Sequence, residues 1–128
     1  MALRSDFTTI VVKEHLGDNA GDLNVPWAQF VGNQTTPKKF EIDGNPRGSA
    51  YLLVQAFNVD EYGHKILING TDLSGHDLTP EAGGWQTWME VFDSSILKPS
   101  NTLQIVRNAS KGNNFVILNV VIHWRESD

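Results

Sequence analysis

The run Gly63-His64-Lys65-Ile66-Leu67-Ile68-Asn69-Gly70-Thr71-Asp72-Leu73 decides how the rest of the chain is read. Ile66 and Ile68 lead directly into Asn69-Gly70, and both residues of that pair tolerate the positive φ that a tight turn between antiparallel strands requires. A strand over His64 to Asn69 with a turn at its end is therefore predicted. Outward from it, short runs rich in β-branched and aromatic residues recur along the whole chain, bounded by Gly, Pro, Asn and Asp. They predict strands at Phe7 to Lys13, Ala28 to Val31, Lys38 to Ile42, Ser49 to Asn58, Trp85 to Phe92, Thr102 to Asn108 and Phe115 to Trp124, making about eight in all by that rule. No stretch has a convincing helical period. The segments between, such as Gly17 to Gly21, Asp43 to Gly48, Asn69 to Gly75, Pro80 to Gly84 and Lys111 to Asn114, carry the residues that turn or break strands. Without a repeat, linker or low-complexity tract, residues 1–128 are expected to form one domain.

Alternation along the longer strands predicts which side faces the core. In the last strand Val116, Leu118, Val120, Ile122 and Trp124 share one face, expected to be core, and Phe115, Ile117, Asn119, Val121 and His123 share a mixed one. In the run from Ser49, Leu52 and Val54 oppose Tyr51, Leu53 and Phe57. Strands apolar on both faces need cover on both, from a second sheet on one side and from the N-terminal segment, a loop or another subunit on the other.

Composition sets bounds on partners. The chain is 40% hydrophobic and 20% charged, as a globular protein is. It has no cysteine, which excludes disulfides and thiolate zinc sites. Its formal net charge is −5 and its ten Lys and Arg are spread thinly, so nucleic acid is not expected as a partner. No apolar run reaches the length of a signal-peptide core or a membrane span, so no membrane association is expected, and the protein is expected to be cytoplasmic or released without a classical signal peptide. The sequons at Asn33, Asn69 and Asn108 are read as turn residues.

The Gly63–Leu73 run, the aromatic strand Trp85 to Phe92, and the corner Ile96-Leu97-Lys98-Pro99-Ser100-Asn101-Thr102-Leu103-Gln104-Ile105 follow one another in an order that resembles the galactose-binding-domain-like jelly rolls. The resemblance covers mainly residues 49–124. It implies an all-β, two-sheet antiparallel jelly-roll sandwich. Many members of that fold group bind carbohydrate, and some carry a structural calcium near the loops.

Trp85 and Trp88 are three apart and so point to opposite faces of a regular strand. Trp85 goes with Thr87, Met89 and Val91, whereas Trp88 lies between Gln86 and Glu90 on the more polar face, ending at Phe92. Trp88 is therefore expected to be exposed, a ring on which a sugar stacks while Gln86 and Glu90 bond its hydroxyls. The alternative is a Trp88 covered by the Thr79 to Gly84 loop or a second subunit, since burying ~200 Å² of ring at ~25 cal/mol per Å² stabilises by about 5 kcal/mol. A second polar and aromatic cluster, Asn58, Asp60, Glu61, Tyr62 and His64, falls at a loop. Tyr62 and His64 are its expected ligand contacts, against the alternative of a solvated turn.

His15, His64, His76 and His123 lack metal-ligand spacing and are read as loop and surface histidines, and Ser74-Gly75-His76-Asp77 lacks the context of a nucleophile elbow. Asp18, Asn19 and Asp22 offer oxygen ligands to calcium without the EF-hand spacing, so no cofactor is expected and calcium is the lesser alternative. The acid pairs Glu81 with Glu90 and Asp72 with Asp77 are not placed across a cleft by anything in the sequence, and no catalytic residue is assigned. The expected function is non-catalytic, lectin-like carbohydrate binding through Trp88 and the 58–64 loop. The alternative is a structural protein that forms a homo-oligomer through apolar outer sheet faces, and a pore-forming role ranks last.

Overall fold

In the computed structural model, which describes residues 2–73, 78 and 80–127, nine strands form two sheets. They are β1 Leu3–Leu16, β2 Gln29–Gly32, β3 Lys38–Glu41, β4 Asn45–Phe57, β5 Lys65–Ile68, β6 Thr71–Asp72, β7 Trp85–Asp93, β8 Ser100–Val106 and β9 Phe115–Ser127. One sheet runs β2-β1-β9-β4-β7 and the other β3-β8-β5-β6. The only helical elements among the described residues are single 3-10 turns at Ala20–Asp22, Ser94–Ile96 and Ala109–Lys111. The two-sheet sandwich agrees with the sequence expectation, with two differences. The short β6 adds a ninth strand, and β1 pairs with β2 in parallel rather than antiparallel fashion.

The Asn-Gly turn and the Leu97–Leu103 corner are bonded to each other. Asn69 (φ 53) and Gly70 (φ 79) both take positive φ, and Ile68 pairs with Thr71 across them, as a two-residue primed hairpin turn demands. The Asn69 side chain then donates to the Asn101 Oδ1 (2.9 Å) and the Ile96 carbonyl (2.9 Å) and accepts from the Thr102 N–H (2.9 Å). Asn101, buried, closes its own corner by accepting from the Lys98 N–H (2.8 Å) and donating to the Lys98 carbonyl. Leu97 and Leu103, on either side, are buried in the core.

That core lies between the sheets. Leu52, Val54 and Ala56 of β4 and Ile117, Val120 and Ile122 of β9 face Ile66 and Ile68 of β5, Leu103 and Ile105 of β8 and Phe40 of β3. Of the β9 residues expected in the core, Val120, Ile122 and Trp124 are buried there and Val116 is also buried, but the alternation breaks at Leu118. Gln55 pairs with Asn119 but Ala56 pairs with Ile117, and on the other flank β1 passes from Val11 to Glu14 while β9 moves only from Asn119 to Ile117. Such irregularities invert the alternation of side chains. Phe115 and Ile117 therefore become core residues and Leu118 is left half-buried. Lys13 takes the positive φ (50°) that the break in β1 needs.

Candidate functional site

The outward face of the five-stranded sheet is built in rows by the register of its strands. One row places Phe7 of β1, His123 of β9, Tyr51 of β4 and Val91 of β7 side by side. The next holds Thr9, Val121, Leu53 and Met89, and the third Val11, Asn119, Gln55 and Thr87. Phe57 and Trp85 pair at the far end. Directly opposed residues share a face and touch. Accordingly His123 stacks on Tyr51 (centroids 4.5 Å, 11° between planes) and on Phe7 (5.7 Å), and Asn119 Nδ2 donates to Gln55 Oε1 (3.2 Å). At the other end Trp85 meets Phe57 (5.1 Å) and stacks on Trp27 (5.9 Å, 23°), which the segment between β1 and β2 brings across the sheet.

Trp27, Trp85, Met89 and Val91 are each about half exposed, and Phe7 and Val11 more so. Two ring clusters thus stand at the ends of the face, some six residues apart along β4, or roughly 20 Å at ~3.3 Å per residue. Between them lie an amide pair and uncharged side chains. The segment that carries Trp27 also walls a cavity of about 310 Å³ lined by His15, Leu23, Val25, Pro26 and Phe30.

The expected faces of β7 are reversed. Leu52 pairs with Glu90, Val54 with Trp88 and Ala56 with Gln86, and those β4 residues are core residues, so Gln86, Trp88 and Glu90 point inward. Trp88 is half-buried against the core, and its Nε1 donates to Glu90 Oε2 (3.2 Å), which allows Glu90 to be buried. The same arrangement recurs in β9, where buried Trp124 donates to Glu126 (3.0 Å). The repeated Trp-x-Glu spacing was the available sequence signal, since residues two apart share a face of a strand. The exposed indole of β7 is Trp85, at 47%.

The 58–64 cluster is a strut between loops. His64 is 1% exposed, and its Nδ1 accepts from the Asn108 N–H (3.0 Å). Its Nε2 therefore carries the proton and donates to Asn113 Oδ1 (2.8 Å). Asn113 also accepts from the Asp60 N–H (3.1 Å) and donates to the Asn58 carbonyl (3.0 Å), while the Asn58 side chain bonds the Asn114 carbonyl (2.8 Å) and the Gly83 N–H (2.7 Å). Of the cluster, Tyr62 and Asp60 are exposed. His15 is likewise buried, edge-on to Phe30 and bonded to Asn114, so His15 and His64 are not the loop and surface histidines expected.

Asp18 is committed to the buried Arg107, and Asn19 bonds Asp22 (3.5 Å). Among the described residues no group of three His, Asp or Glu is arranged to hold a metal ion. Glu81 is exposed on a loop whereas Glu90 is buried, so that acid pair does not share an open cleft. Ser74, Gly75, His76, Asp77 and Thr79, and with them the Asp72 and Asp77 pair, lie outside the described residues.

A family model described as a family of unknown function (DUF7383) matches residues 4–126. No curated protein matches the chain in sequence. Among solved structures, dimeric latent PorU from Porphyromonas gingivalis superposes with a TM-score of 0.64 at 13% identity, over 99% of this chain and 13% of that one. The chain thus spans about an eighth of the length of PorU. The CBM36-1 domain of a multidomain xylanase from the hindgut metagenome of Trinervitermes trinervoides gives 0.60 at 15% identity, covering 91% of this chain and 96% of that domain. CBM35 from Cellvibrio japonicus Abf62 gives 0.54 at 15%, covering 91% and 92%. At these identities the likeness is one of fold: a β-sandwich of the carbohydrate-binding-module kind.

Proposed function

The chain belongs to a family of unknown function (DUF7383), and we propose that it is a non-catalytic carbohydrate-binding protein whose ligand lies on the outward face of the five-stranded sheet. The observation that carries this reading is the row-by-row arrangement of stacked rings, exposed Trp85 on exposed Trp27 and exposed Tyr51 on half-buried His123, around the Gln55–Asn119 amide pair. Pyranose C–H faces stack on aromatic rings, and carboxamides both donate to and accept from hydroxyls. Rings already stacked on one another lose little freedom when a sugar settles on them, which limits the ordering cost of binding. Fold neighbours named as carbohydrate-binding modules support the ligand class. This moves the proposed aromatic platform from Trp88 to Trp85 and retains Tyr62 only as an exposed side chain on a separate loop.

The test is a glycan-array screen followed by calorimetry on the tightest ligand. Trp85→Ala is expected to weaken binding at least tenfold, about 1.4 kcal/mol. A blank array overturns the function. Undiminished binding by both Trp85→Ala and Tyr51→Ala overturns the face.

Exposed Met89, Val91 and Val11 favour a second reading, a subunit interface, because aromatic residues and Met are enriched at such contacts. Light scattering at high micromolar concentration checks it: a dimer dissociated by Met89→Lys supports that reading, and a strict monomer rejects it.

A further inference from the structure

Beyond Tyr51 the outward face ends in two arginines. Arg125 of β9 lies directly opposite Arg47 of β4, and opposed residues share a face. That face is the outer one, because Arg125 alternates with inward Trp124 and Glu126. Both arginines are exposed. Like charges in this position are destabilising. The chain's other two arginines are paired, Arg4 with Glu126 and Arg107 with Asp18, as is Lys38 with Glu14. Among the described residues neither Arg47 nor Arg125 has such a partner.

The neighbouring acids are engaged. Glu126 is turned inward and holds Trp124 and Arg4, and Asp93 of β7 caps the turn that follows it through the Ser95 N–H (2.8 Å). The Arg125 guanidinium sits over Gly48, where an added Cβ would lie 3.3 Å from Nη2, so the glycine leaves it room. Along β9 the next row inward is the Phe7, His123 and Tyr51 stack, and on β4 and β7 the exposed pair Ser49 and Asp93 lies between that stack and Arg47.

Resting on the glycan reading above, we propose that this end of the face is an acidic-sugar subsite. One ring packs on the exposed edge of Tyr51, which the Phe7–His123 stack braces, while its carboxylate or sulfate is held by Arg125 and Arg47. Guanidinium groups match such multi-oxygen anions bidentately. The chain as a whole is negative, so its net charge repels a polyanion, whereas this local pair attracts an anionic group. Along β4, β9 and β7 from Leu53 to Trp85 the face carries no charge, its residues there being Leu53, Gln55, Asn119, Val121, Met89 and Thr87. The ligand it fits is therefore charged at one end and neutral along its length.

Calorimetry with three matched trisaccharides tests this: one ending in glucuronate, its carboxyl-reduced counterpart ending in glucose, and the counterpart bearing a sulfate ester at the same carbon. The acidic ligands are expected to bind about tenfold tighter than the neutral one, from the strength of charged hydrogen bonds, and to lose that advantage in raised salt. Arg125→Gln and Arg47→Gln should each abolish the preference while leaving neutral binding intact, whereas Trp85→Ala weakens all three. Removing one of two like charges should leave the melting temperature unchanged or raise it, so lost affinity cannot be ascribed to unfolding. Preference for carboxylate over sulfate, or the reverse, identifies which anion the pair takes. Equal binding of acidic and reduced ligands, or arginine variants indistinguishable from wild type, overturns the subsite. If the glycan array is positive, the platform reading survives that result, and if it is blank both fall.

Discussion

Asn101 acts on two parts of the chain at once. Its carboxamide closes the Lys98–Asn101 corner and receives the Asn69 amide from the hairpin turn more than thirty residues earlier. Replacing it with Ala orphans the Lys98 N–H and carbonyl and one Asn69 N–H, and a buried polar group left unsatisfied costs about 1–3 kcal/mol. Asn101→Ala is therefore expected to lower the urea midpoint with little change in slope, by about 2–4 kcal/mol in all. Asn101→Asp, which keeps the acceptor and loses the donor, should fall between. An Asn101→Ala protein with wild-type stability would show that the corner is held by Leu97 and Leu103 alone. Both asparagines were legible in the sequence because each sits in a local motif with a local cause. The bond between them was not, because it crosses from one motif to the other. His64 illustrates the opposite case: a histidine at a loop edge reads as available, and only the fold shows that Asn108 and Asn113 occupy both its nitrogens.

At the scale of an element, β7 explains why the candidate site was the least legible part of the chain. Both faces of Trp-Gln-Thr-Trp-Met-Glu-Val-Phe-Asp carry a tryptophan, and the more apolar face, Trp85 with Met89 and Val91, is the one turned outward. Hydrophobic alternation gives a strand two faces without saying which is in when both are apolar. Pairing with β4 decides it, and Glu90 is accepted inside because Trp88 bonds it. The contrast is measurable on one strand. Trp88→Ala, which removes a ring packed on the core, is expected to cost about 3 kcal/mol by thermal or urea melting. Trp85→Ala, on the outer face, should stay within about 1 kcal/mol of wild type. Equal losses would mean that the Trp27–Trp85 stack stabilises the fold rather than serving a ligand.

The end of β7 adds a pH effect. Hydrogen bonds from the Ser95 backbone N–H, and secondarily from the Ser95 side chain, hold the Asp93 carboxyl below its ordinary value of 3.8. A depressed carboxyl stabilises the fold above its unfolded value, and that contribution is lost as pH falls through the folded one. Asp93→Asn should thus melt lower than wild type near neutrality, and the two should converge below about pH 4.

For the molecule as a whole, the decisive feature is that the C-terminal strand is central. β9 pairs with β1 from Leu3 and Ser127 to Leu16 and Phe115, and on its other edge with β4 from Asn45 to Phe57. β1 is flanked differently: only its last residues, Glu14 to Leu16, have a second neighbour, in β2. Its first residues are exposed, whereas Ile122, Trp124, Glu126 and Ser127 at the other end are buried. Deletions of similar length at the two ends should then have unequal consequences. Removing residues 1–6 takes away one side of a ladder and the Arg4–Glu126 contact, and the chain is expected to keep its dispersed amide NMR spectrum and a cooperative melt with a lowered midpoint. Removing residues 122–128 empties the core of Ile122 and Trp124 and strips β4 of its central partner. Losing two large core side chains costs about 6–10 kcal/mol, comparable to the 5–15 kcal/mol that stabilises a whole domain. That chain is expected to be unfolded at 25 °C, with collapsed amide dispersion and no melting transition. A cooperative melt from the C-terminal deletion would mean that β1 and β4 can close against each other without β9, and the outward rows, all of which run through β9, would have to be redrawn.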